Sequence, residues 1–184
     1  MKISTLPFLL IILAAPVNAQ RYMTKTGHIS IYSHTPIEDI KADNNQAASV
    51  MDLSTGEIVF QVLIKSFKFE KALMEEHFNE NYMESDKYPK STFRGNITDP
   101  SPSTLSKEGK YDVTIEGDLN IHNVTKKITA KGTMEVGNGT LTAFSKFDII
   151  PADYNIQIPA VVRDNIAKVI EVTVDIRYSP AENK

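Results

Sequence analysis

The sequence predicts an all-β protein, an antiparallel sheet of eight strands closed into a barrel and interrupted by a short helical insertion. Three observations carry that reading. Apolar and polar residues alternate along several long segments, which is the two-residue period of a strand with one dry face. Turn-forming residues join those segments in sequence, as hairpins require. A single stretch departs from the pattern and spaces its apolar residues at steps of four.

The first nineteen residues read as an address. Lys2 precedes an apolar run from Leu6 to Ala15, Pro16 breaks it, and Val17-Asn18-Ala19 offers a cleavage site before Gln20. The run is too short to span about 30 Å of hydrocarbon as a helix. Residues 1–19 are therefore expected to be a signal peptide and residues 20–184 one exported barrel domain with no membrane span.

From Glu57 to Lys65, Ile58, Phe60, Val62 and Ile64 share one side of a predicted strand, while the other side is half polar. Ser54-Thr55-Gly56 separates it from the run before. Between Glu70 and Glu84 the spacing turns helical, with Leu73 beside His77 and with Met74, Phe78 and Tyr82 in register; Asn81, Asp86 and Pro89 break it into one or two short helices. Such an insertion in a β chain covers a barrel mouth or a sheet edge. Asp99-Pro100-Ser101-Pro102-Ser103 predicts an exposed loop.

The alternation is clearest from Tyr111 to Ile121. Tyr111, Val113, Ile115, Gly117, Leu119 and Ile121 face one way; Asp112, Thr114, Glu116, Asp118 and Asn120 face the other. His122-Asn123 turns the chain into Val124–Val136, whose dry face is Ile128, Ala130, Gly132, Met134 and Val136. Asn138-Gly139 predicts a type I′ hairpin. The last strand, Ile170 to Tyr178, sets Ile170, Val172, Val174, Ile176 and Tyr178 against Glu171, Thr173, Asp175 and Arg177. Long strands in sequential hairpins bury a single dry face best by closing up and down into a barrel.

Composition narrows the function. The chain has 184 residues, a net charge of -3 and no cysteine. Mild acidity without basic clusters argues against a nucleic-acid partner. Without cysteine there is no disulfide, thiol nucleophile or thiolate metal site. His28, His34, His77 and His122 show no helical pairing for a metal. G-x-S-x-G, P-loop and G-x-G-x-x-G patterns are absent, and Glu75-Glu76 diverge on a helix. No catalytic, metal or cofactor site is predicted, and the protein is not expected to be an enzyme.

An eight-stranded barrel is either filled by its side chains or holds one small ligand. No dry face carries a charge, and Arg94 and Arg177 alternate outward, so a neutral apolar chain fits inside with any charged headgroup at the mouth. The candidate lining and mouth residues are Phe60, Val62, Phe67, His77, Phe78, Tyr82 and Phe93 around the insertion, with Val113, Ile115, Gly132, Val172 and Val174 on dry faces. Gly117, Ala130 and Gly132 are read as leaving room for the ligand.

Several local patterns, in order along the chain, resemble the YceI-like family. They are Thr26-Gly27-His28-Ile29-Ser30-Ile31; Ile64-Lys65-Ser66-Phe67 through Leu73-Met74 and His77-Phe78 to Lys87-Tyr88-Pro89-Lys90-Ser91-Thr92-Phe93; Gly117-Asp118-Leu119-Asn120-Ile121-His122-Asn123-Val124-Thr125-Lys126; and Asp153-Tyr154 with the final strand. The resemblance implies a lipocalin-like periplasmic protein that encloses a polyisoprenoid or similar amphiphile, with an isoprenoid lipid or quinone as the expected kind of occupant. The sequence leaves monomer and homodimer open, since a strand edge or a mouth-to-mouth contact can pair two copies. Asn123 stands where the family commonly has glycine, and asparagine tolerates the same left-handed backbone. The competing reading is a filled barrel that serves as an envelope interaction or stress-response module.

Overall fold

A computed structural model describes residues 21–105 and 107–181 of the chain, so the expected signal peptide lies outside the described residues. The strands are β1 (Arg21–His34), β2 (Asp39–Asp52), β3 (Glu57–Leu63), β4 (Lys68–Phe69), β5 (Lys90–Asp99), β6 (Gly109–Ile121), β7 (Val124–Gly137), β8 (Thr140–Ile149) and β9 (Ile170–Pro180). Every pairing is antiparallel, and the ladder runs β1-β9-β8-β7-β6-β5-β3-β2 before β1 and β2 close it. β4 leaves the circuit and pairs only with Ala42 and Asp43 of β2. The result is the expected closed barrel of eight strands, with β3 beside β5 because the insertion lies between them.

The turns follow from backbone freedom. Asn138 and Gly139 have φ of 52° and 70°, and His122 and Asn123 have φ of 51° and 62°. Both pairs meet the two left-handed positions of a type I′ turn, so Asn123 serves where glycine is common.

β2 carries no clean alternation because it is bulged. Gly27 pairs with Ala47 but Ile29 pairs with Asn44, which leaves an extra residue on β2, and a second shift lies between Thr24 and Gly27 on β1. A bulge moves every later side chain to the opposite face. Asn44, fully buried, holds it: Nδ2 donates to the Leu63 carbonyl at 3.0 Å, and Oδ1 accepts the Gln46 N–H at 2.8 Å.

One end of the barrel is packed solid. Met51, Leu53, Ile58, Met134, Leu141, Ile176 and Tyr178 form its core, and Leu105 enters from the β5–β6 connection with no exposed surface. The proline-serine loop is exposed at Asp99, Ser101 and Ser103 as expected, and Leu105, two residues beyond it, anchors the connection in the core. Within this core the Tyr178 hydroxyl meets Ser49 Oγ at 2.8 Å, and Ser49 donates to the Val59 carbonyl at 2.9 Å. Burial pushes the Tyr178 phenol well above its ordinary range.

The other end carries the insertion. The strand expected to reach Lys65 stops at Leu63, and a 3₁₀ turn (Ile64–Ser66) takes over. The helical stretch is α1 (Ala72–His77) followed by a π turn (Phe78–Tyr82). Met74, Phe78 and Tyr82 face the barrel as their spacing predicts. Leu73 does not pack, being 60% exposed. Among the described residues no helix is long and apolar enough to cross a membrane.

Candidate functional site

The barrel is hollow between its packed end and its insertion. The cavity has a volume of about 360 Å³, within the range of small-molecule pockets, about 300–1,000 Å³. Its wall is built by strand periodicity. Val113 and Ile115 enter from β6, Ala130 from β7, Ala143 from β8, Val172 and Val174 from β9, and Phe60 and Val62 from β3. The dry faces legible in sequence are the faces that enclose the void.

Aromatic rings form the roof. Phe78 lies 5.6 Å from Phe67 and 5.0 Å from Phe69, measured between ring centroids, in tilted and edge-on contacts. Such contacts fix rigid apolar area without a polar cost. Phe60 and Phe93 stand 6.5 Å apart on the neighbouring strands β3 and β5. Tyr82 and His77 also line the cavity, and burial raises the Tyr82 phenol above its ordinary range.

Of the twelve residues the sequence singles out, eleven line the cavity: Phe60, Val62, Phe67, His77, Phe78, Tyr82, Phe93, Val113, Ile115, Val172 and Val174. Gly132 does not. A Cβ there would run into the Phe144 carbonyl oxygen and stand 3.1 Å from Ser145 Cβ, so glycine permits β8 to approach β7. Gly117 likewise makes no room for a ligand, because the Phe93 ring already occupies the space above it. Of the three small residues, Ala130 alone lies on the wall.

The mouth holds residues that periodicity does not reveal. Glu38, in the β1–β2 connection, lines the cavity and accepts hydrogen bonds from Lys71 Nζ at 3.0 Å and Asn165 Nδ2 at 3.2 Å. It thereby links the β1–β2 turn, the insertion and the β8–β9 connection. Lys71, followed by Asn165, holds the Glu38 carboxyl below the usual carboxylate range. The β8–β9 connection is also pinned where the Ala167 N–H donates to Ser33 Oγ at 2.9 Å. At the opposite side His122 Nε2 lies 2.8 Å from Glu84 Oε2, and His122 Nδ1 lies 3.2 Å from the Tyr154 carbonyl oxygen. That histidine, expected as a turn residue, also ties the β6–β7 hairpin to the insertion.

The remaining histidines stand apart. His28 pairs with Asp43 and His34 with Asp39, while His77 makes no hydrogen bond among the described residues. No group of three or more potential metal ligands assembles among the described residues. Chemically, the arrangement can exclude water from an apolar chain and present a few polar groups at one end.

Comparison with known proteins agrees with this architecture. The family model described as YceI-like domain matches residues 22–178. No curated protein matches the chain. Among solved structures, a polyisoprenoid binding domain from Saccharophagus degradans, implicated in plant cell wall breakdown, is 12% identical with a TM-score of 0.76, over 89% of this chain and 100% of that one. Burkholderia cenocepacia BcnA is 16% identical with a TM-score of 0.68, over 83% of this chain and 96% of that one. A Campylobacter jejuni YCEI protein is 14% identical with a TM-score of 0.57, covering both chains fully. At these identities the likeness is one of fold.

Proposed function

The chain belongs to the YceI-like family, and from that premise we propose that it is a non-catalytic, periplasmic carrier that holds a polyisoprenoid or similar long-chain amphiphile inside its barrel. The void carries this reading. A filled barrel would have met the needs of packing alone, whereas this one is solid at one end and hollow at the other. An apolar chain entering the void leaves water at a gain of roughly 0.8 kcal/mol per buried methylene, which is a non-covalent mechanism sufficient for a carrier. The Saccharophagus degradans domain of the same fold, described as polyisoprenoid binding, supports the ligand class. The apolar run before Gln20 supports export.

Displacement of Nile red, a neutral dye whose emission reports apolar surroundings, tests the reading. Geranylgeraniol is expected to displace the dye from the delipidated protein in a saturable, one-to-one manner. Failure of both dye and alcohol to bind would favour the envelope interaction module instead.

A further inference from the structure

The one formally charged residue on the cavity wall, among the described residues, is Glu38. No lysine or arginine among the described residues lines the void. From this we propose that the cavity selects a neutral, hydrogen-bond-donating headgroup, an alcohol or hydroquinone hydroxyl, and discriminates against a phosphate on the same chain. The proposal rests on the carrier reading and adds the headgroup class to it.

The geometry is specific. The Glu38 N–H donates to Thr35 Oγ1 at 3.1 Å, which fixes the residue in its turn. One carboxylate oxygen accepts Lys71 and the other accepts Asn165. An ionised carboxylate offers about four acceptor positions, so two remain for a ligand. A hydroxyl arriving at the mouth can donate to one of them. The bond is charge-assisted and correspondingly strong.

A phosphate meets the opposite situation. It brings negative charge to a carboxylate, and like charges at close quarters discriminate strongly against the wrong partner. The nearest cation, Lys71, is already engaged by Glu38 and does not line the void. Ser33, Tyr82 and Asn165, also on the wall, are neutral. Hydroxyls and amides satisfy a hydroxyl well but do not offset the desolvation of an anion. The His77 ring, which has no hydrogen-bond partner among the described residues, also lines the cavity and is open to a bond with a hydroxyl.

Competition between geranylgeraniol and geranylgeranyl phosphate tests the proposal, because a common chain cancels the apolar contribution. With Nile red displacement as readout, the alcohol is expected to bind at least about tenfold more tightly than the phosphate. In Glu38→Gln the charge is gone, and one of the two acceptor oxygens becomes a donating NH2, so the side chain keeps its carbonyl for Lys71 or Asn165 but not an oxygen for each. There the gap is expected to narrow, with the phosphate gaining affinity. Equal affinities in the unsubstituted protein, or tighter phosphate binding, overturn the selectivity and leave the carrier reading standing. So does a Glu38→Gln variant that loses both probes by the same factor, since that makes Glu38 a clasp only. Binding of neither probe overturns the carrier reading itself.

Discussion

Gly95 and Gly117 face each other across β5 and β6, so closely that a Cβ on Gly117 would stand 2.5 Å from the Gly95 Cα. The Phe93 ring lies over the pair, with Cζ 2.7 Å from that same Cβ position. Two strands without side chains at facing positions thus accept one ring that also walls the cavity. Gly117→Ala is expected to lower stability by about 1–3 kcal/mol, the usual cost of overpacking. It should also disturb Phe93, so both the urea midpoint and the Nile red affinity should fall. A variant with an unchanged midpoint would show that the strands can spread.

Leu105 closes the packed end without touching the void. Leu105→Ala removes a fully buried side chain and should cost about 3 kcal/mol. Ligand affinity, measured below the unfolding transition, should stay within about twofold, a difference well under the 1.4 kcal/mol that makes a factor of ten. A large loss of affinity would mean that the two ends are coupled.

Tyr178 makes stability fall in alkali. In the unfolded chain its phenol ionises near 10.0, while burial keeps the folded form neutral to higher pH. Above about pH 10 the folded state therefore binds more protons than the unfolded one, and stability declines as pH rises. Tyr178→Phe removes this slope along with the hydrogen bond to Ser49, worth about 1 kcal/mol. The substituted protein is expected to be somewhat weaker at pH 8, with a urea midpoint that drops less between pH 10 and pH 11. Parallel declines would place the alkaline sensitivity elsewhere.

Ala143 lines the cavity from β8 and packs on the core beneath it. Ala143→Phe projects a ring into the void and is expected to cut geranylgeraniol affinity at least about tenfold while the circular-dichroism spectrum stays that of a β-barrel. Gly132→Phe is not an equivalent substitution. Its Cβ would collide with the Phe144 carbonyl, so it should unfold the β7–β8 ladder. Full-affinity binding by a folded Ala143→Phe protein would place the ligand outside the barrel.

These contrasts show where sequence reasoning reaches and where it stops. β6 and β9 are legible because their apolar and polar residues alternate along most of each strand, and β7 because it alternates from Ile128 onward, and much of these dry faces becomes the cavity wall. β2 is not, because a bulge changes its faces midway and, Met51 apart, its buried positions are held by Ala42, Asn44, Ala47 and Ser49 rather than by large apolar residues. Gly132 is misread for a related reason: a glycine on a dry face looks like vacant space, whereas the cause of its smallness is the backbone of the next strand. Glu38 and Asn165 carry no local signal at all. Their place at the mouth comes from three connections meeting at one end of a closed sheet, which only the assembled barrel brings about.

Native mass spectrometry of the protein purified without detergent, followed by organic extraction, tests the central claim most directly. The account predicts a mass excess of one lipid per chain and an extract containing an isoprenoid alcohol or quinone-type molecule. A bare polypeptide mass that stays unchanged after incubation with such lipids would contradict it.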